Sequence, residues 1–60
     1  MKDIMDIQEA AVALGVHHNT VRRLVKQGLL PAIRITERGD FRFKRADIET
    51  YLSERVYVSA

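Results

Sequence analysis

The sequence contains no cysteine and no tryptophan, only one proline, and no long hydrophobic run. Without cysteine, disulfides and thiolate zinc sites are excluded, and nothing argues for an oxidising compartment. The longest apolar stretch, AAVALGV at positions 10–16, is far short of the roughly 20 residues that cross a bilayer. The opening MKDIMDIQEA carries three acids and no apolar targeting segment, so it does not read as a signal peptide. A Ser-His-Asp set, paired catalytic carboxylates and a phosphate-cradling glycine loop are also missing. At 60 residues the chain can bury only about 60% of its unfolded surface, which leaves little room for an enclosed pocket on a supporting scaffold. These absences lead to the expectation of a soluble cytoplasmic protein that is not an enzyme. No cofactor, metal, membrane or small-molecule ligand is expected. One domain should span 1–60, with its core at about 4–53 and a tail at 54–60.

Acidic residues are scarce in one region only. From His17 to Arg45 there are eight basic side chains against two acidic ones, or +6. The remainder holds two basic and six acidic ones, or −4, which returns the net +2. A basic middle between acidic ends is the footprint of a polyanion binder, although a solvated surface can show the same imbalance.

The hydrophobic pattern divides the chain. Asp6 followed by Glu9 is a capping-box signal for a first helix over about 7–14, with Ile7, Ala10, Ala11 and Leu14 on one apolar stripe. Gly15 should end it. A second helix runs over about 18–27, with Val21, Leu24 and Val25 buried and Asn19, Arg22, Arg23 and Lys26 elsewhere, until Gly28 and Pro31 stop it. Leu29 and Leu30 are expected in the core. The period then changes to two. Ile33 and Ile35 alternate with Arg34 and Thr36, and Phe41 and Phe43 with Arg42 and Lys44, around the turn ERGD. This predicts a hairpin with one apolar and one basic face, on which Arg34, Arg42 and Lys44 lie together. A last helix over about 45–53 carries Ile48, Tyr51 and Leu52. The final residues, including Val56, Tyr57 and Val58, are expected to trail off as a frayed tail. Two helices joined by a short glycine turn make a helix-turn-helix, and a hairpin after it is a wing. The fold class is α+β, mainly α: a winged helix-turn-helix with a two-stranded wing and a closing helix.

The segments DIQEAAVALGVHHNTVRRLVKQGLLPAIRI and FRFKRADIETYL together resemble the excisionase-type, MerR-like winged helix-turn-helix domains, over roughly Ile4 to Leu52. Ala11, Gly15 and Val21 stand where that unit uses a small helix-one residue, the turn glycine and a core residue of helix two. GLLPAIRI resembles the turn into the wing, and ADIETYL the closing helix. The resemblance implies DNA binding without catalysis, with the second helix in the major groove and the wing along the backbone or minor groove. Members of the family act as excisionases, which bend DNA and set the direction of a phage or mobile-element integrase, or as small transcriptional regulators. Double-stranded DNA in repeated sites, an integrase and further copies of the chain are the implied partners. The protein would be bacterial or phage-encoded and nucleoid-associated. Two features depart from the family pattern. The wing tip Glu37-Arg38-Gly39-Asp40 is less basic, which argues against deep minor-groove insertion. His17 also stands where Ser or Asp more often caps the second helix.

Within this frame Arg22 and Arg23 are the foremost candidates for DNA contact. Arginine bonds guanine O6 and N7 bidentately or grips a phosphate. Consecutive arginines diverge by about 100° on a helix, so one should read a base while the other holds the backbone. Pairing with an acid such as Glu9 is the alternative role. Asn19 and Thr20 open the second helix, where side chains and free amides meet phosphates or base edges, or simply cap the helix. Lys26 suits a phosphate. His18, beside His17, fits phosphate contact or solvent better than a metal, because adjacent histidines do not readily share one ion. In the wing, Arg34, Arg38, Arg42 and Lys44 are candidates for backbone contact, with Phe41 and Phe43 behind them as core. A protein-interaction module docking an acidic partner is the competing class, and it would lack a steep salt-linked affinity for DNA.

Overall fold

The computed structural model describes residues 3–58. In chain order the elements are β1 (Ile4–Asp6), α1 (Ile7–Leu14), α2 (His18–Lys26), β2 (Ile33–Arg34), β3 (Phe41–Lys44) and α3 (Arg45–Ser53).

The capping box forms as the sequence indicates. The Glu9 amide donates to Asp6 Oδ1 at 2.8 Å, and the Asp6 amide donates to Glu9 Oε1 at 3.1 Å. Both interior helix ends close through a left-handed glycine. Gly15 has φ +70°, with the Val16 amide reaching Ala11 O and the Gly15 amide reaching Val12 O. Gly28 has φ +73°, with Leu29 N bonded to Leu24 O and Gly28 N to Val25 O. This paired bonding is the Schellman closure. A Cβ at either glycine would meet nothing within 4 Å, so backbone angle rather than space demands glycine there. Only three residues, Gly15 to His17, separate α1 from α2, and this tight turn sets their mutual angle.

The sheet has one strand more than the sequence indicates. β3 is its centre, paired antiparallel with β1 on one side and β2 on the other. The register places Met5 opposite Phe43, Asp6 opposite Arg42, and Ile4 opposite Lys44. Ile33 stands opposite Arg42, and Arg34 opposite Phe41. Residues directly opposite one another share a face. The expected basic face therefore divides. Arg42 and Lys44 share one side with Ile4, Asp6 and Ile33, while Arg34 shares the other with Met5, Phe41 and Phe43. The Arg34 guanidinium lies 6.0 Å from the centre of the Phe41 ring. The reason is register: pairing Ile33 with Arg42 rather than with a phenylalanine inverts β2 relative to β3.

The buried residues Ala10, Ala11, Val21, Leu30, Phe43 and Ile48 form one cluster, drawn from α1, α2, the α2–β2 turn, β3 and α3. Alanines at 10 and 11 let α1 approach α2 closely. Of the two leucines expected inside, Leu30 is 2% exposed but Leu29 is 48% exposed, because Leu29 follows the glycine at the outer rim of the turn. Ile35 is 53% exposed and sits beyond the regular part of β2, which ends at Arg34. Leu52, at 43%, is also further out than its position on the apolar stripe of α3 suggests. Val56, Tyr57 and Val58 are exposed and have no regular structure.

Candidate nucleic-acid interface

The candidate interface is built on α2. Its first turn is capped by a histidine: His17 is extended, and its Nδ1 accepts from the Asn19 amide at 3.1 Å. The His17 ring lies 4.2 Å from that of His18. His18 and Thr20 are half-buried flanks of α2. Asn19, Arg22, Arg23 and Lys26 are exposed, as is Gln27, the C-cap, which sequence reasoning did not single out. Val21 anchors the opposite side in the core, with Leu24 and Val25 packed around it.

The wing follows from the turn chemistry of residues 35–40. The Ile35 amide donates to Asp40 O at 2.8 Å, and Gly39 N to Thr36 O at 3.1 Å. The Thr36 hydroxyl donates to Asp40 Oδ2 at 3.0 Å. Asp40 is thus committed to closing the tip, and Arg38 is left exposed on it. Arg42 is half-buried, its Nη1 donating to the Phe41 carbonyl at 3.0 Å.

A cleft separates α2 from the wing. Arg22 reaches it from α2, Gly39, Asp40 and Arg42 from the wing, and Asp6 and Gln8 from the start of α1. Gln8 is a second polar residue that sequence reasoning left unassigned. Its signal was an exposed amide in the first turn of an otherwise apolar helix. Lys44 belongs elsewhere. It lines a shallow groove with Asp3, Ile4, Arg45 and Glu49 at the far end of the sheet. The structure therefore brings Arg22, Arg42 and the wing tip together, while Lys44 and Arg34 stand apart from that set.

The charges sort in the same way. Among the described residues, Arg22, Arg23, Lys26, Arg34, Arg38, Arg42 and Lys44 enter no ion pair. Arg45, counted within the basic middle of the sequence, lies 3.6 Å from Asp3 and 3.7 Å from Glu49. Arg55 pairs with Glu54 at 3.8 Å and stacks 3.6 Å over the Tyr51 ring. No three metal-ligating side chains converge among the described residues, and no helix there is long and apolar enough to cross a membrane.

Comparison with curated proteins found no match. A family model described as a helix-turn-helix domain matches residues 4–56, from the first strand through the closing helix. Such domains bind DNA and are typically not enzymes. With its three helices, three-stranded antiparallel sheet and cation-bearing second helix, the chain belongs to this family of DNA-binding helix-turn-helix domains.

Proposed function

We infer that the protein binds duplex DNA sequence-specifically as an excisionase, a recombination directionality factor that bends DNA and assists an integrase. α2 enters the major groove, and the wing follows the backbone beside it. Asn19, Thr20, Arg22, Arg23 and Lys26, with His18 at the flank, form the helix contribution. Arg38 and Arg42 serve from the wing, and Arg34 and Lys44 act at its margins. The observation that carries this reading is the absence of internal partners: the cations of α2 and the wing tip are exposed or half-exposed and enter no ion pair among the described residues. Phosphate neutralisation would supply most of the affinity, and each good bidentate base contact about 1–3 kcal/mol of discrimination. One small domain offers a limited interface, so repeated sites, neighbouring copies or the integrase supply the remaining affinity. The protein would act in the cytoplasm, at the nucleoid.

Fluorescence anisotropy tests the binding. The protein is titrated into the duplex from upstream of its own coding region and into a scrambled duplex, at several salt concentrations. Tighter binding to the first, with log K falling steeply against log salt, is expected. Absence of binding at low salt would transfer the basic face to an acidic protein partner. A recombination assay with the integrase of the same element tests the role. The expected result is a shift toward excision. Specific binding without that shift would make the protein a small transcriptional regulator.

A further inference from the structure

The adjacent arginines of α2 are not equivalent, and the geometry points to a division between them: Arg23, with Asn19, reads base edges, while Arg22 holds the DNA backbone at the wing. This inference rests on the DNA-binding reading above and deepens it.

The core-facing stripe of α2 is Val21, which is buried, with Leu24 and Val25 partly buried against the core. At about 100° per residue, the direction opposite that stripe falls between Asn19 and Arg23, each within about 30° of it. Arg22 lies about 70° away, on the flank shared with His18. That flank faces the wing, because Arg22 lines the cleft with Gly39, Asp40 and Arg42, and Arg23 does not. A helix seated in the major groove presents its outermost row to the bases and its flanks to the two sugar–phosphate walls. Asn19 and Arg23 are one turn apart on that row, so they reach neighbouring base pairs. Asparagine matches adenine N6 and N7, and arginine matches guanine O6 and N7. A site in which an adenine and a guanine stand close together follows. Arg22 and Arg42, from two different elements, are positioned to take a phosphate between them. Asp6 and Asp40 lie in the same cleft and offset part of that charge. Arg22 therefore contributes less to affinity than Arg23 does to discrimination.

The chemistry of lysine separates the two roles. A phosphate accepts a point charge, whereas bidentate recognition of guanine needs the planar fork. The test is selection from a library of duplexes with a randomised central segment, using the wild-type protein, Arg22→Lys and Arg23→Lys, each first shown to fold by circular dichroism. The wild type should select a motif containing the adenine–guanine pair. Arg22→Lys should select the same motif. Arg23→Lys should lose the guanine, with discrimination at that position falling about ten- to hundred-fold. Arg22→Ala should weaken binding evenly on all sequences and lower the salt slope by at most about one. If Arg22→Lys alters the motif and Arg23→Lys does not, the assignment is overturned while the DNA reading stands. If the wild type selects no motif, sequence-specific reading itself fails, and this inference with it.

Discussion

Helices α2 and α3 are both nine residues long, and each puts one residue, Val21 or Ile48, fully into the core. Their outward sides are organised in opposite ways. In α3 most of the polar side chains are bonded within the protein. Arg45 pairs with Asp3 and Glu49, the Thr50 hydroxyl donates to Ala46 O at 2.9 Å, and the Ser53 hydroxyl to Thr50 O at 2.9 Å. In α2 the side chains of Asn19, Arg22, Arg23 and Lys26 have no hydrogen bond or ion pair among the described residues. A helix whose polar face is satisfied internally serves the fold. One that presents several like charges to solvent gains little stability from them, and suits a ligand of opposite sign.

The largest effect should come from removing what the two helices share. Phe43 is buried at the centre of β3, in one cluster with Val21 and Ile48. Phe43→Ala should cost about 3–5 kcal/mol, comparable to the whole stability of so small a domain. Loss of the helical circular dichroism signal at room temperature is expected.

The cap of α2 comes next. His17→Ala removes the acceptor for the Asn19 amide and should cost about 1 kcal/mol, lowering Tm by about 4–8 °C. His17→Asp restores an acceptor and complements the helix dipole. Its Tm should equal or exceed that of the wild type, while anisotropy shows weaker DNA binding because a negative charge has entered the interface. A parallel loss of both properties would show that the cap and the interface are not separable.

Exchanging one cation from each helix sharpens the comparison directly. Lys26→Ala should leave Tm unchanged, weaken DNA binding on all sequences and lower the salt slope by about one. Arg45→Ala should do the reverse, leaving DNA affinity intact. Its cost in stability should stay below about 1 kcal/mol, because the pairs are solvent-screened. The smallest effect belongs to the exposed tail. Tyr57→Ser should change stability by no more than about 0.5 kcal/mol, as a thermal melt can check.

Most of the helical architecture was legible in the sequence because the signals there are local. Asp6 and Glu9 cap across three residues, and Gly15 and Gly28 end helices through their own backbone angles. β1 was not legible. Ile4, Met5 and Asp6 are too few to show a period, and they become a strand only because β3 offers an edge. The wing was legible as a hairpin but not in its faces. Alternation in each strand says nothing about which residue of one strand stands opposite which residue of the other. The charge count placed Arg45 with the basic middle, because a sum over sequence cannot see that Asp3 folds back to it.

By itself, then, the sequence determined the succession of elements, the apolar stripes, the gathering of cations on α2 and the wing, and the resemblance to helix-turn-helix domains. Each of these depends on interactions within a few residues or on composition. The tertiary structure alone decided that β3 is central, that Arg34 parts from Arg42 and Lys44, that Arg45 is paired, and that Arg22 rather than Arg23 faces the wing. Those outcomes depend on the register of one strand against another and on the rotation of a helix against the core. Both are set by long-range packing, and a shift of one residue or one helical step would reverse them.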